Sequence, residues 1–103
     1  MRVYYFGTNE GDHHPHDTEG QLHDLQFLVG GFIEAVYLPE FTQYGIILLV
    51  NEEGLLAHLE PNANLFPYFL VGNVIALSSK GEEFVGLDAG QEEFIKEWLK
   101  ANA

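Results

Sequence analysis

The chain contains no cysteine, so disulfides, thiolate nucleophiles and thiolate metal ligands are excluded at the outset. Cations are nearly as scarce. Arg2, Lys80, Lys96 and Lys100 stand against sixteen Asp and Glu, a formal net charge of −12. Nucleic-acid binding needs clustered cations that release counterions from phosphates, and anionic lipid surfaces attract the same kind of cluster. Neither partner is expected; the field of such a chain draws in proteins with basic surfaces, or free cations. Long apolar runs are also missing. "GIILLV" and "FLVGNVIAL" fall far short of the roughly 20 residues that span a bilayer, and the opening "MRVYYFGTNE" has no signal-peptide core. A soluble protein of a bacterial host's cytoplasm is the expectation.

Catalytic signatures are absent too. There is no G-x-S-x-G elbow, no P-loop and no G-x-G-x-x-G fingerprint. The adjacent carboxylates Glu52 and Glu53 fall in turn chemistry and are most simply solvated, because a working acid–base pair needs burial that separates its two protonation steps. An enzyme is the poorest of the functional classes, and no cofactor is implied.

What the chain does have is apolar and aromatic material, at 47% and 14% of 103 residues. That is enough for the core of one domain covering residues 1–103. "RVYYF" (2–6) reads as a first strand. The polar stretch 7–18 reads as a loop with room for a short paired strand. Residues 18–29 read as a helix: Thr18 caps it, Gln21 completes a capping box, and Leu22, Leu25, Leu28 and Val29 share one face before Gly30 and Gly31 stop it. "FIEAVYL" (32–38) alternates as a strand that Pro39 ends. Its Glu34 lies among apolar neighbours, which marks an edge, a wet face or a functional carboxylate. "YGIILLV" (44–50) is a strand buried on both faces, and after the turn "NEEG" the segment "LLAHL" (55–59) would return beside it as a hairpin. "YFLVGNVIALSS" (68–79) reads as one long strand bulged at Gly72, and "FVGL" as a short last strand. Residues 89–101 carry the strongest local signals. Asp88 caps, Gln91 completes a box, and Phe94, Ile95, Trp98 and Leu99 form a stripe that must dock on the sheet. The expected fold is α+β: a mostly antiparallel sheet of about five strands packed by an internal helix (about 18–29) and a C-terminal helix (about 89–101).

One cluster asks for a chemical reading. "GDHHPHD" (11–17) packs three of the five histidines and two aspartates into seven residues. Zinc takes three or four N, S or O ligands in a tetrahedral array. On an extended segment His14 and His16 share a face, whereas His13 needs a turn to join them. His14, His16 and Asp17 are therefore the weak metal candidates, and a solvated loop is the simpler reading. Of the aromatics, most are expected in the core; Phe41 and Tyr44, and Phe66 with Tyr68, flank loops and are candidate anchors for a partner.

Leu25-Gln26, Gly30-Gly31, Ile33-Glu34-Ala35-Val36, Asn51-Glu52-Glu53-Gly54, Asn62 and Gly72, taken in order and spacing, resemble a small-protein family, domain of unknown function 3846. Its members are carried by phages, plasmids and other mobile elements, mostly of Gram-positive bacteria. The resemblance covers about residues 1–95. It implies a mobile-element origin and no particular reaction. Ala63 stands where the family usually carries a basic residue, the stretch between Leu65 and Gly72 is short, and the histidine segment replaces one that is otherwise Pro-rich. The loss of the basic residue argues against a phosphate-binding role.

Three functions fit these observations. A non-catalytic protein-binding module or inhibitor comes first. It would act on a basic host surface, an anti-defence protein or DNA mimic being one form, with Glu34, Glu52, Glu53, Glu60, Glu82 and Glu83 supplying the carboxylates. A binder or sink for a small molecule such as a signalling nucleotide comes second, and a homo-oligomeric structural role third.

Overall fold

A computed structural model describes residues 1–102. Its elements in chain order are β1 (Arg2–Phe6), β2 (His13–Asp17), α1 (Leu22–Val29), β3 (Ile33–Val36), the one-turn α2 (Pro39–Thr42), β4 (Ile46–Asn51), a short 3-10 turn (Ala63–Leu65), β5 (Val74–Lys80), β6 (Glu83–Val85) and α3 (Ala89–Ala101). The fold is α+β. Among the described residues six strands form one sheet, five of them in the order β2-β1-β5-β4-β3, and every pairing is antiparallel. β6 pairs with the far end of β5, where Ser78 lies between Ile46 of β4 and Val85 of β6.

Side-chain alternation splits the core in two. Tyr4, Phe6, Ile46, Leu48, Val50, Val74 and Ala76 face α3 and its Ile95, Trp98 and Leu99. Val3, Ile47, Leu49, Ile75 and Leu77 face α1 through Leu25 and Val29. The sheet is thus a layer between two helices. This explains why β4 and the start of β5 read as continuous apolar runs rather than alternating ones.

Both helix ends that the sequence marks most clearly behave as expected. The Asp88 carboxylate accepts from the Gln91 amide at 2.8 Å and the Gln91 side chain accepts in return from the Asp88 amide at 2.9 Å. Gly30 stops α1 at φ 81°, and its amide donates back to the carbonyls of Gln26 and Phe27. The start of α1 differs from expectation. Gln21, not Thr18, is the N-cap, and the box closes on Asp24. Gly20 at φ 79° precedes the cap, a left-handed conformation that a continuing helix cannot contain, and so the first turn is lost.

Two strand expectations are corrected. Residues 55–59 do not return as a hairpin strand. They wind into a compact turn in which the Ala57 amide donates to Glu53 and the Leu59 amide to Gly54. The long segment 68–79 is extended as a strand only from Val74. Gly72, at φ 76°, redirects the chain, and a Cβ there would come within 2.8 Å of Leu59. In the other direction, the histidine segment is more ordered than a solvated loop: it is the edge strand β2.

Candidate binding surface

The free edge of β3 and the turns around it build a concave surface lined mainly by apolar side chains. Among the described residues β3 pairs with β4 alone, Glu34 opposite Val50 and Val36 opposite Leu48. At the end of β4, Asn51 holds the turn: its Oδ1 accepts from the Glu53 amide at 2.8 Å and its Nδ2 donates to the Val29 carbonyl at 3.3 Å. The turn so fixed presents Leu55 and Leu56 to solvent, 78% and 83% exposed, while the segment after the 3-10 turn presents Phe66 and Phe69, 65% and 90% exposed. The two phenylalanine rings meet edge-to-face at 6.5 Å. Leu55, Leu56 and Phe69 line an open pocket of about 380 Å³ that also takes in Val36, Glu34 and Glu52.

Burying a leucine or phenylalanine side chain is worth about 1.5–3 kcal/mol, and four such side chains left in water contribute none of this to the fold. A contiguous exposed apolar patch rimmed by polar groups is the usual mark of an interaction site. Its carboxylate rim is Glu34 and Glu52. Beside it, the Tyr68 hydroxyl donates to Glu40 at 2.7 Å, a bond that holds the phenol above its ordinary pKa and fixes the ring of Tyr68.

The six glutamates that the sequence singles out are all exposed, but they are not one row. Glu34 and Glu52 share the pocket just described, and Glu53 and Glu60 stand around the same end of the sheet, each lining a smaller depression beside Asn51. Glu82 and Glu83 lie in the β5–β6 turn at the opposite end, past the pairing of Ser78 with Ile46. Of the candidate aromatic anchors, Phe41 is fully buried against Trp98 and Phe94, whereas Phe66 and Tyr44 are exposed.

The histidines are divided by strand alternation. His14 and His16 face the α1 side, ring centroids 6.1 Å apart, and with Tyr5, Asp12 and Phe27 they line an open depression of about 520 Å³. His13 turns to the other face, its Nδ1 3.0 Å from the Tyr4 hydroxyl. Asp17 follows it there and pairs with Arg2 at 3.0 Å. The candidate trio His14, His16 and Asp17 is therefore split across the sheet. Among the described residues no group of three His, Asp or Glu side chains is placed to hold a metal ion.

Several of the residues that carry the family resemblance are architectural, whereas Glu34, Val36 and Glu52 line the pocket. Asn62 is buried, its Nδ2 donating to the carbonyls of Phe6 and Gly72 at 3.1 and 2.9 Å while its Oδ1 accepts from the Asn64 amide. Asn51 ties β4 to the end of α1, and Gly31 leaves the space into which its amide fits. Leu25 is core. What sequence reasoning missed is the exposed pair Leu55 and Leu56. The signal was present in "LLAHL", which lacks both alternation and β-branched residues.

Fold and surface together define a class: a small α+β domain with a carboxylate-rimmed apolar pocket at one open sheet edge, and among the described residues no helix long and apolar enough to cross a membrane. The chain belongs to the family described as Domain of unknown function (DUF3846), whose family model matches residues 1–100. No curated protein and no solved structure matches it.

Proposed function

We propose that this protein is a non-catalytic binding module that occupies a basic surface on a protein partner, in the manner of a phage or mobile-element inhibitor acting in a host's cytoplasm. The observation that carries the reading is the exposed trio Leu55, Leu56 and Phe69 lining one pocket with Glu34 and Glu52, with the exposed Phe66 ring against Phe69. Apolar anchors at the centre of a contact supply affinity, and a charged rim supplies approach rate and choice of partner. With a net charge of −12 the choice falls on cations. A phosphate-bearing ligand fits the same pocket poorly, because its walls carry two carboxylates and neither Lys nor Arg.

The test is affinity capture from bacterial lysate with the native chain and with a Glu34→Lys, Glu52→Lys variant. A basic protein is expected on the native chain alone. It should elute as salt rises from about 0.1 M to about 1 M and the Debye length falls from about 10 Å to about 3 Å. Equal capture by both chains, or capture that ignores salt, overturns the reading.

A further inference from the structure

The two edges of the sheet are finished differently, and the difference names a docking mode. At β2, the Thr18 amide donates to Met1 and the Gly7 amide to Asp12. These two bonds set the phase of the β1–β2 ladder, so His14 and His16 aim their backbone groups at β1, and His13, Pro15 and Asp17 aim theirs outward. Pro15, at the centre of that outward row, has no N–H, and its carbonyl is already bonded to the His14 ring at 2.8 Å. An incoming strand finds no donor there and an acceptor already engaged, a common way of closing an edge.

At β3, the Glu52 amide donates to the Phe32 carbonyl at 2.8 Å. The same alternation turns Glu34 and Val36 towards β4 and leaves the N–H and C=O of Ile33 and Ala35 pointing outward, without a partner among the described residues. No proline interrupts this row. A strand added here would lie about 4.8 Å beyond β3. Alternate side chains would project on the Glu34–Val36 face, directly over the pocket walled by Leu55, Leu56 and Phe69.

We infer that β3 is a template for strand addition, and that its occupant is an extended segment of a partner protein with a basic side chain opposite Glu34 and an apolar one, two residues on, opposite Val36. The ladder gives affinity from main chain, and the pocket and carboxylates read the side chains. A second copy of this chain is the poorer occupant, since two molecules of net charge −12 would bring Glu34 and Glu52 of each towards the other. The inference rests on the binding-module reading above and adds the mode of docking.

A synthetic peptide of repeating Lys-Thr-Val-Thr units, long enough to cover β3, is the probe. In the native chain its binding should slow hydrogen exchange at the Ile33 and Ala35 amides. Ala35→Pro removes one outward N–H and no bond to β4, a position at which an edge strand accepts proline. It should weaken the peptide at least tenfold. The exchange measurement needs no variant, so it stands even if Ala35→Pro fails to fold. Binding that leaves both amides unprotected and Ala35→Pro undiminished, yet falls with Glu52→Lys, overturns strand addition and leaves the acidic-surface reading intact. No binding at low salt overturns strand addition as well, and the lysate capture then decides the broader reading on its own.

Discussion

At the scale of single residues, Asn62 shows how a polar side chain can hold a fold together. It sits in the core at 3% exposure and joins three stretches of chain: the end of β1 through Phe6, the bend at Gly72, and the 3-10 turn through Asn64. Truncation leaves two buried carbonyls short of a donor, and each such group costs about 1–3 kcal/mol. Asn62→Ala should therefore lower unfolding stability by about 2 kcal/mol or more in urea denaturation. Asn62→Asp should do no better, because a carboxylate cannot donate to those carbonyls. A change under about 0.5 kcal/mol for Asn62→Ala would show that water replaces the lost bonds. In the sequence, "EPNAN" reads only as turn chemistry. The partners of Asn62 lie up to 56 positions away, and no local pattern encodes them. The same holds for Trp98, which sits correctly in the apolar stripe but buries an indole N–H that meets no acceptor among the described residues.

At the scale of elements, what was legible is what is local. α3 carries its own cap, its own stripe and its own i,i+4 pair, Glu92 with Lys96 at 3.1 Å, and it folds where these signals place it. β4 declares its burial by five apolar residues in a row, Ile46 to Val50. Residues 55–59 misled because a run of leucines after a turn satisfies a strand and an exposed loop equally until the neighbours are known. β2 is hidden in the sequence for the opposite reason, since its pairing with β1 and not its composition makes it a strand. Arg2 illustrates a link that only the folded chain reveals. From β1 it bonds Asp17 on β2 at 3.0 Å and Glu92 on α3 at 2.7 Å. The bond from Arg2, aided by Lys96, holds the Glu92 carboxyl below its ordinary value of 4.5 against the opposing effect of burial. A carboxyl depressed in the folded state binds its proton more readily when unfolded. Its contribution is complete above about 4.5 and is lost as pH falls through the lowered folded value. Glu92→Gln should be less stable than the native chain at neutral pH, and the gap should close on acidification below that range. Because Arg2 is partly exposed, the gap is expected to be modest and to shrink with salt. A gap that stays constant from about pH 7 to about pH 3 would assign Glu92 a packing role only.

At the scale of the whole molecule, the question is whether sixteen carboxylates act as one field or as separate neighbourhoods. Glu34 and Glu52 rim the apolar pocket, with Glu53 and Glu60 at the same end of the sheet, and Glu82 and Glu83 lie at the other. The six residues of β4 separate the two groups by about 3.3 Å each, or roughly 20 Å in all. At physiological salt the Debye length is about 8 Å, so a cation seated at the pocket is screened from the far turn by more than two Debye lengths. A row of carboxylates mimicking a phosphate backbone would need both ends to matter equally, whereas a pocket with a charged rim needs only one. The double variant Glu82→Gln, Glu83→Gln should then alter affinity for a basic partner by less than about twofold at 0.15 M salt. Glu34→Gln, Glu52→Gln, with the same change in net charge, should weaken it at least tenfold. Titration calorimetry on the two variants separates the cases. Equal losses would mean that the partner senses total charge and that the acidic face is a single extended one.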